Sequence, residues 1–262
     1  MLKQNISADI EQARKLITDN RVLVNGAIQN NVNAQFDVSV QISLTKESKK
    51  YVSRGGFKLE AALSEFNINV TNMKGLDVGA STGGFTDCLL QHGAKSVVAI
   101  DVGRSQLDEK IRKHNQVKIY ERLNAKDLDL EKTDGSCDIC VIDVSFTSIL
   151  PLLPAIFSVL TKSAPIIALI KPQFEGNKTQ ITDDGIISDP DMHTHILKRF
   201  IEHFPQTYYL KQLIASPITG GKGNIEFLGL FEQEGSSTQI PIIDIESVVK
   251  HAHKILKVND DK

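Results

Sequence analysis

The chain of 262 residues has no tryptophan, only three cysteines and no long apolar run. An odd, low number of cysteines fits reduced thiols and not a disulfide framework. The longest largely apolar stretch, residues 149–160, contains Pro151 and Pro154 and is shorter than the roughly 18–20 residues of a membrane helix. The first residues, MLKQNISADIEQ, lack the apolar core and cleavage site of a secretory signal. A cytoplasmic location is therefore expected.

Glycine and proline are also few, with 17 and 8 residues, and the chain has no repeats or low-complexity tracts. Together with a hydrophobic content of 41%, this composition is typical of a globular protein and excludes fibrous and disordered chains. The length suits one large domain with a small appendage.

Charge is unevenly distributed, although the net charge is only -2. Residues 1–60 hold nine Lys/Arg against six Asp/Glu, and the remainder holds 21 against 26. A basic front end on a mildly acidic body suits an anionic partner that binds mainly at one end. A chance fluctuation on a solvated surface explains the same numbers, so charge alone leaves both interpretations open.

The first 45 residues predict a small helix-plus-hairpin unit. Residues 9–19 place apolar side chains at helical spacing after Ser7, a candidate N-cap. Residues 21–26 (RVLVNG) predict a strand ending in an Asn-Gly turn, and residues 37–44 alternate like a half-buried strand. Such a small unit buries little core, which indicates a binding module attached to a larger domain.

Residues 46–58 (KESKKYVSRGGFK) are predicted to form a basic linker. Lysine and arginine release counterions when they neutralise nucleic-acid phosphates, so the segment is a candidate phosphate contact. A soluble hinge is the alternative interpretation.

Seven short apolar runs follow from residue 75, and helix-like segments separate the first five. Near-continuous apolar strands between helices indicate a parallel sheet covered on both faces. Too few residues join the last two runs for a helical crossover, so those strands should pair antiparallel. A helix over 245–256 is expected to pack on the sheet. The predicted strands are 75–78, 96–102, 117–121, 138–146, 165–171, 208–216 and 225–231, and the clearest helices are 84–92, 149–160 and 190–204.

Open parallel sheets bind ligands beyond the carboxyl ends of their strands, and here those ends are polar. A glycine loop, residues 77–84 (DVGASTGG), follows the first strand. Asp101 ends the second strand, where an acid binds the ribose hydroxyls of a dinucleotide or of S-adenosylmethionine. A helix cap is the alternative for Asp101, and Asn124 either caps the next turn or faces an adenine.

Two further strand ends carry a charge, which is costly to bury unless it is paired or used. Asp143 follows the run ICVI, and Lys171 follows IIALI. Lys58 in the linker and Glu226 in the last strand complete a set of two lysines and two carboxylates.

Neither Cys137 and Cys140 nor His193 and His195 are predicted to bind a metal. Residues three apart in a strand point to opposite faces, and the two histidines alternate within a predicted helix. Both pairs are expected at the surface, and no metal is expected.

Six ordered segments resemble the haemolysin-A-like (TlyA) ribosomal RNA methyltransferases, within the FtsJ-type ribose 2'-O-methyltransferases. They span almost the whole chain and are SRGGFKLE (53–60), LDVGASTGGFTDCLL (76–90), AIDVG (99–103), DVSFTSI (143–149), IKPQFE (170–175) and SPITGGKGNIEFL (216–228). The resemblance implies S-adenosyl-L-methionine-dependent 2'-O-methylation of a ribose, that of a cytidine, in ribosomal RNA or ribosomal subunits.

The fold that the resemblance implies is α/β, a seven-stranded, doubly wound, Rossmann-like methyltransferase sheet with a small N-terminal α+β RNA-binding module. We expect the module at 1–45, the linker at 46–58 and the methyltransferase domain at 59–262. Residues 12–26 (QARKLITDNRVLVNG) resemble a module shared with a small-subunit ribosomal protein and pseudouridine synthases. The family has several more residues in its first helix, so either the module is shortened or the sequence starts late.

The resemblance also implies roles for particular residues. Lys58, Asp143, Lys171 and Glu226 match the family's catalytic tetrad, with Lys171 as base or orienting group, the carboxylates positioning it, and Lys58 holding the ribose or a phosphate. The residues expected at the cofactor site are Asp77, Gly79, Ser81, Gly83, Gly84, Asp101 and Asn124. The candidate RNA contacts are Arg14, Lys15, Arg21, Lys49, Lys50 and Arg54.

Three other functions compete with this interpretation. A pore-forming haemolysin is disfavoured by the missing signal and spanning helix. A non-enzymatic RNA-binding or ribosome-associated protein is disfavoured by the intact tetrad, and a small-molecule O-methyltransferase by the basic front end.

Overall fold

A computed structural model describes residues 1, 4, 6–7, 9–18, 21–37, 39–44, 50–177, 185–233 and 242–257. The chain divides into two compact units, Met1–Arg54 and Gly55–Lys262. Helix α2 begins at Gly55, so the end of the expected linker, including Lys58, lies in the first turn of a helix. Residues 45–49, which form much of the rest of that linker, lie outside the described residues. The assignment of the first unit as an RNA-binding module stays a prediction.

The small unit contains one helix and a three-stranded antiparallel sheet. Its elements are α1 Ile10–Thr18, β1 Val22–Val24, β2 Ala27–Gln29 and β3 Ile42–Leu44, with sheet order β2-β1-β3. Asn25 and Gly26 both have positive φ, as a two-residue hairpin turn requires. The predicted cap was wrong, because the Asp9 carboxylate, and not Ser7, accepts a hydrogen bond from the Gln12 N–H at 2.7 Å.

The large unit contains a seven-stranded sheet with the order β6-β5-β4-β7-β8-β10-β9. Its first five strands run parallel, and β9 and β10 pair antiparallel, as predicted. β10 also pairs antiparallel with β8. Every residue of β8 is fully buried, because a central strand is covered on both faces. The strands are β4 Lys74–Val78, β5 Ser96–Asp101, β6 Val117–Glu121, β7 Ile139–Ile142, β8 Ile166–Ile170, β9 Tyr208–Ala215 and β10 Phe227–Gln233.

Helices cover both faces of this sheet. Leu76 belongs to a core cluster shared with α5, α7 and α8, whereas the neighbouring Gly75 faces Leu89 of α3. Because successive strand residues point to opposite faces, α3 lies on the other side from that cluster. The helices are α2 Gly55–Glu65, α3 Gly84–Gln91, α4 Glu109–Arg112, α5 Leu153–Ser158, α6 Pro172–Glu175, α7 Pro190–His203 and α8 Ile245–Lys257.

The predicted surface positions of Cys137, Cys140 and His193 were wrong, since all three are fully buried. Cys140 lies in β7, at the centre of the sheet, where both faces are covered. Desolvation raises the pKa of the Cys137 thiol to about 11, so the thiol stays protonated. His193 lies on the inner face of α7, with its Nδ1 2.8 Å from Nε2 of His253, whereas His195 is exposed.

Candidate active site

The carboxyl ends of the parallel strands meet at one edge of the large unit's sheet. Val78 and Ile142 are paired at the ends of β4 and β7, and β8 pairs in parallel with β7. Phe227, which begins β10, pairs antiparallel with Ile170, which ends β8. The residues just beyond these two, Glu226 and Lys171, are therefore neighbours at this edge.

A cavity of about 560 Å³ opens at this edge, beside the ends of β4, β5 and β7. This volume is in the range of small-molecule and cofactor sites. Of the residues expected to bind the cofactor, the cavity is lined by Gly79, Ser81, Asp101 and Asn124, and Asp143 of the tetrad also borders it. Apolar contact comes from Val102, Leu123 and Leu152, among others.

The glycine loop approaches the end of β7 closely. Gly79 has a φ of +86°, and a Cβ at this position would lie 2.4 Å from the backbone oxygen of Asp143. Only glycine combines this conformation with so close an approach. Gly83 also has a positive φ, and a Cβ there would meet Ile111 at 2.9 Å, so it serves the packing of the loop.

Asp101 presents its carboxylate to the backbone of the cavity wall. Its Oδ2 accepts a hydrogen bond from Ser81 N–H at 2.8 Å, and its Oδ1 accepts one from Gly103 N–H at 2.6 Å. The described residues 102–108 begin no helix, and α4 is capped by Asp108, so Asp101 does not act as a helix cap. Asn124 both caps a 3-10 turn, through Lys126 N–H at 3.0 Å, and borders the cavity.

Asp77 is fully buried beneath the cavity floor. Its Oδ2 accepts a hydrogen bond from the Thr86 hydroxyl at 2.6 Å. Desolvation raises the pKa of Asp77 to about 7, and the nearby charge of Asp143 contributes to this shift. Of the described residues in the glycine loop, Asp77, Gly83 and Gly84 do not border the cavity.

The four tetrad candidates form two lysine–carboxylate pairs. Lys58 Nζ lies 2.5 Å from Glu226 Oε2, and Lys171 Nζ lies 2.6 Å from Asp143 Oδ1. Lys58, Lys171 and Glu226 are each less than a tenth exposed. Because desolvating both charges offsets much of their attraction, such buried pairs are poor stabilisers. Both pairs lie at the edge of the sheet at which the cavity opens.

Sequence reasoning missed Ser145 and Phe146, although both lie in the quoted segment 143–149. The ammonium of Lys171 donates a hydrogen bond to Ser145 Oγ at 2.8 Å. Phe146 is 91% exposed with a positive φ, and its ring centroid lies 5.2 Å from that of Phe174. Phe146 carries no signal of this kind in the sequence, because its exposure beside the cavity is visible only in the structure.

The candidate RNA contacts all belong to the small unit. Arg14 and Lys15 are exposed on α1, and Arg21 is partly exposed. Lys50 is exposed, with its ammonium 5.4 Å from the ring centroid of Tyr51, and Arg54 is partly exposed. Lys49 lies outside the described residues.

Neither a metal centre nor a membrane span was found in the part of the chain that the structure describes. The described residues contain no group of three or more histidine, cysteine or acidic side chains that could hold an ion. No described helix is long and apolar enough to cross a membrane.

The strand order, the glycine loop after β4 and the acidic residue ending β5 define a Rossmann-like, doubly wound methyltransferase. The sequence model of the FtsJ-like methyltransferases matches residues 51–232. The chain belongs to this family and is a methyltransferase, which confirms the predicted fold class and family. Enzymes of this class in general use S-adenosylmethionine as the methyl donor.

Three relatives cover most of the chain. The 16S/23S rRNA (cytidine-2'-O)-methyltransferase TlyA of Mycobacterium tuberculosis (strain H37Rv) is 35% identical over 87% of this chain and 85% of its own length. Hemolysin A of Brachyspira hyodysenteriae is 47% identical over 70% of this chain and 77% of its own length. A solved structure from Streptococcus thermophilus, of a protein proposed to be a hemolysin, has a TM-score of 0.78 at 38% identity and covers 99% of this chain and 96% of its own.

Proposed function

We propose that this enzyme transfers a methyl group from S-adenosyl-L-methionine to the 2'-hydroxyl of a cytidine ribose in ribosomal RNA. The observation that carries the proposal is the two lysine–carboxylate pairs beside the cavity, Lys58 with Glu226 and Lys171 with Asp143. The Mycobacterium tuberculosis relative, a 16S/23S rRNA (cytidine-2'-O)-methyltransferase, supports the same substrate class.

The residues around the cavity fit S-adenosylmethionine. The Asp101 carboxylate is suited to two ribose hydroxyls, and the Gly79–Ser81 backbone leaves room for close approach. Val102 and Leu123 offer apolar contact for an adenine. When bound, the cofactor supplies an electrophilic methyl group on a sulfonium.

The tetrad compensates for the low nucleophilicity of a ribose hydroxyl. A 2'-hydroxyl is a weak acid, so transfer needs a group that removes its proton and holds the oxygen in line. As an ammonium, Lys171 orients the hydroxyl. After it has released a proton to solvent, its neutral amine accepts the hydroxyl proton, and Asp143, 2.6 Å from its Nζ, balances the charge of the ammonium that forms again. Lys58, oriented by Glu226, holds the ribose or the adjacent phosphate.

RNA is the substrate class that best explains the remaining features. Sequence-specific RNA proteins stack splayed bases on aromatic side chains. Phe146 presents an exposed ring beside Phe174, whose own ring centroid lies 5.9 Å from the Lys171 ammonium. The small unit offers Arg14 and Lys15 as exposed positive charges for the phosphate backbone.

Methyl transfer to separated ribosomal subunits tests the proposal. Radiolabelled S-adenosylmethionine is mixed with subunits from a strain that lacks this gene, using wild-type enzyme and the Lys171→Ala variant. We expect label on the RNA of at least one subunit, and at least a hundredfold slower transfer by the variant, as for removal of a catalytic base. Calorimetry should show cofactor binding nearly unchanged in the variant.

Two outcomes would contradict the proposal. Absence of label on subunits and on free RNA, despite measurable cofactor binding, would favour a non-enzymatic RNA-binding role for this chain. Loss of cofactor affinity in the Lys171→Ala variant would make Lys171 a structural residue and not a catalytic one.

A further inference from the structure

Glu175 is a buried carboxylate that the proposed chemistry does not use. It ends α6, the single helical turn that follows Lys171, and it is 7% exposed. Its Oε2 accepts a hydrogen bond from the Ser148 hydroxyl at 2.5 Å, and its Oε1 accepts one from the Ile149 N–H at 2.9 Å. Both donors lie at the end of the loop that starts with Asp143.

This loop, residues 143–149, is therefore attached to the end of β8 at two places. At its start, Lys171 contacts Asp143 and Ser145. At its end, Glu175 holds Ser148 and Ile149. The two attachments come from one short segment, residues 171–175, and they enclose the part of the loop that carries Phe146.

The segment that carries Glu175 is itself anchored in the large unit. Backbone N–H groups of Phe174 and Glu175 donate to the Lys171 carbonyl at 2.8 and 3.2 Å. Arg199 of α7 donates a hydrogen bond to the backbone oxygen of Glu175. Because α6 is held in place, the Glu175 carboxylate is a rigid hydrogen-bond acceptor. Its two hydrogen bonds therefore fix the position of residues 143–149 relative to α6.

A purely structural role explains a carboxylate at this position poorly. Desolvation raises the pKa of Glu175, and the hydrogen bonds from Ser148 and Ile149 offset that shift only in part. Apolar packing would fill the same space without burying a charge. Unlike an apolar side chain, the carboxylate supplies two hydrogen-bond acceptors that are directed at the loop.

We propose that Glu175 is a positioning residue for methyl transfer, which acts through Ser148 and Ile149 to hold Asp143 and Ser145 against Lys171. The inference rests on the proposed function, because it assigns the chemistry to Lys171 and Asp143. Glu175 itself touches none of the reacting groups.

Three variants test this role. Glu175→Ala removes both acceptors, Ser148→Ala removes one donor, and Glu175→Gln keeps an acceptor for Ile149 N–H and can donate to Ser148. Since small misplacements of catalytic groups cost large factors in rate, we expect kcat to fall roughly 10- to 100-fold in Glu175→Ala. The decrease in kcat should be smaller in Ser148→Ala and Glu175→Gln. In all three variants the KM for RNA should stay within about threefold of wild type.

Glu232→Ala is the matched control, because Glu232 is also a mostly buried carboxylate of the large unit and is ion-paired to Lys211 at 2.8 Å. It lies near the end of β10 that is opposite to Glu226. A variant that only loses stability has a lower melting temperature but an unchanged kcat per folded molecule. We expect this result for Glu232→Ala. An unchanged kcat in folded Glu175→Ala would overturn the proposal.

Hydrogen exchange gives a readout that does not depend on activity. Peptides covering residues 143–149 should exchange faster in Glu175→Ala and Ser148→Ala than in wild type, and Glu175→Gln should restore part of the protection. Equal exchange in all proteins would overturn the role of Glu175. Inactive wild-type enzyme would instead contradict the proposed function, while the exchange data would still decide whether Glu175 holds the loop.

Discussion

At the residue scale, Asp77 carries the clearest electrostatic signature of the site. It is fully buried, and its Oδ2 accepts from the Thr86 hydroxyl at 2.6 Å. Burial outweighs this hydrogen bond and raises the pKa of Asp77 from 3.8 to about 7. Between those values the folded state keeps a proton that the unfolded state has lost, so the protein loses stability as the pH rises from about 4 to about 7.

The Asp77→Asn variant should remove this pH dependence, because an amide carries no charge and can still accept from Thr86. Above pH 7 the ionised wild-type carboxylate costs on the order of 4 kcal/mol, so the variant should be more stable there by up to that amount. Thermal unfolding of both proteins at pH 5 and pH 8 measures the effect. If both lose the same stability between the two values, Asp77 is not protonated in the folded protein near neutral pH.

At the element scale, the loop between β9 and β10 controls the position of the Glu226 carboxylate. A Cβ at Gly220 would lie 2.0 Å from Glu226 Oε1, a distance that no real contact reaches. Gly221, the next residue, has nothing within 4 Å of its Cβ position. The two glycines therefore form a matched pair for substitution.

Gly220→Ala should displace the Glu226 carboxylate from Lys58 and lower methyl transfer by at least tenfold, on the scale of misplaced catalytic groups. Gly221→Ala should leave transfer within about twofold of wild type, because its new methyl group meets no neighbour. Both rates are measured with the cofactor at saturation, and circular dichroism verifies folding. Equal rates for the two variants would show that the loop adapts without moving Glu226.

Helix α2 shows where local sequence signals misled at this scale. Residues 46–58 predicted a linker, since a glycine pair and several basic residues are poor signs of a helix. The structure starts α2 at Gly55, and Leu59, Ala62 and Leu63 are buried. Packing of this face outweighs the low helix propensity of glycine, and it carries Lys58 into the site.

At the scale of the whole molecule, the proposed RNA contacts and the proposed catalytic residues belong to different units. The exposed cations Arg14 and Lys15 belong to the small unit, whereas the tetrad belongs to the large one. A cation that neutralises a phosphate releases a counterion. Each such contact therefore adds about 0.7–0.9 to the slope of the logarithm of affinity against the logarithm of salt concentration.

The double variant Arg14→Ala/Lys15→Ala should therefore bind ribosomal RNA more weakly and with a salt slope lower by about one to two. Cofactor affinity should not change. Filter binding at two or more salt concentrations measures the slope, and Lys95→Ala/Lys162→Ala removes two exposed charges from the large unit as a control. An equal loss of slope in both double variants would contradict a dedicated RNA-binding role for the small unit.

Much of the fold follows from local patterns in the sequence. The apolar runs predicted all seven strands of the large sheet to within a few residues, because a strand covered on both faces needs apolar side chains at every position. The antiparallel pairing of β9 with β10 followed from the short connection between them. The polar strand ends likewise indicated the edge of the sheet at which the cavity opens.

Packing between distant segments decided the rest. Lys58 and Glu226 are 168 residues apart, and only the tertiary placement of α2, which packs on α3, joins them. Tertiary packing likewise brings Glu175 to Ser148 and buries Cys140 and His193. Local propensity and residue spacing do not show which face of a helix or strand is covered by its neighbours. The sequence by itself determined the strands, the edge of the sheet at which the cavity opens, and the family. Only the tertiary structure decided which charges pair there, because pairing depends on ångström-scale distances between elements far apart in the chain.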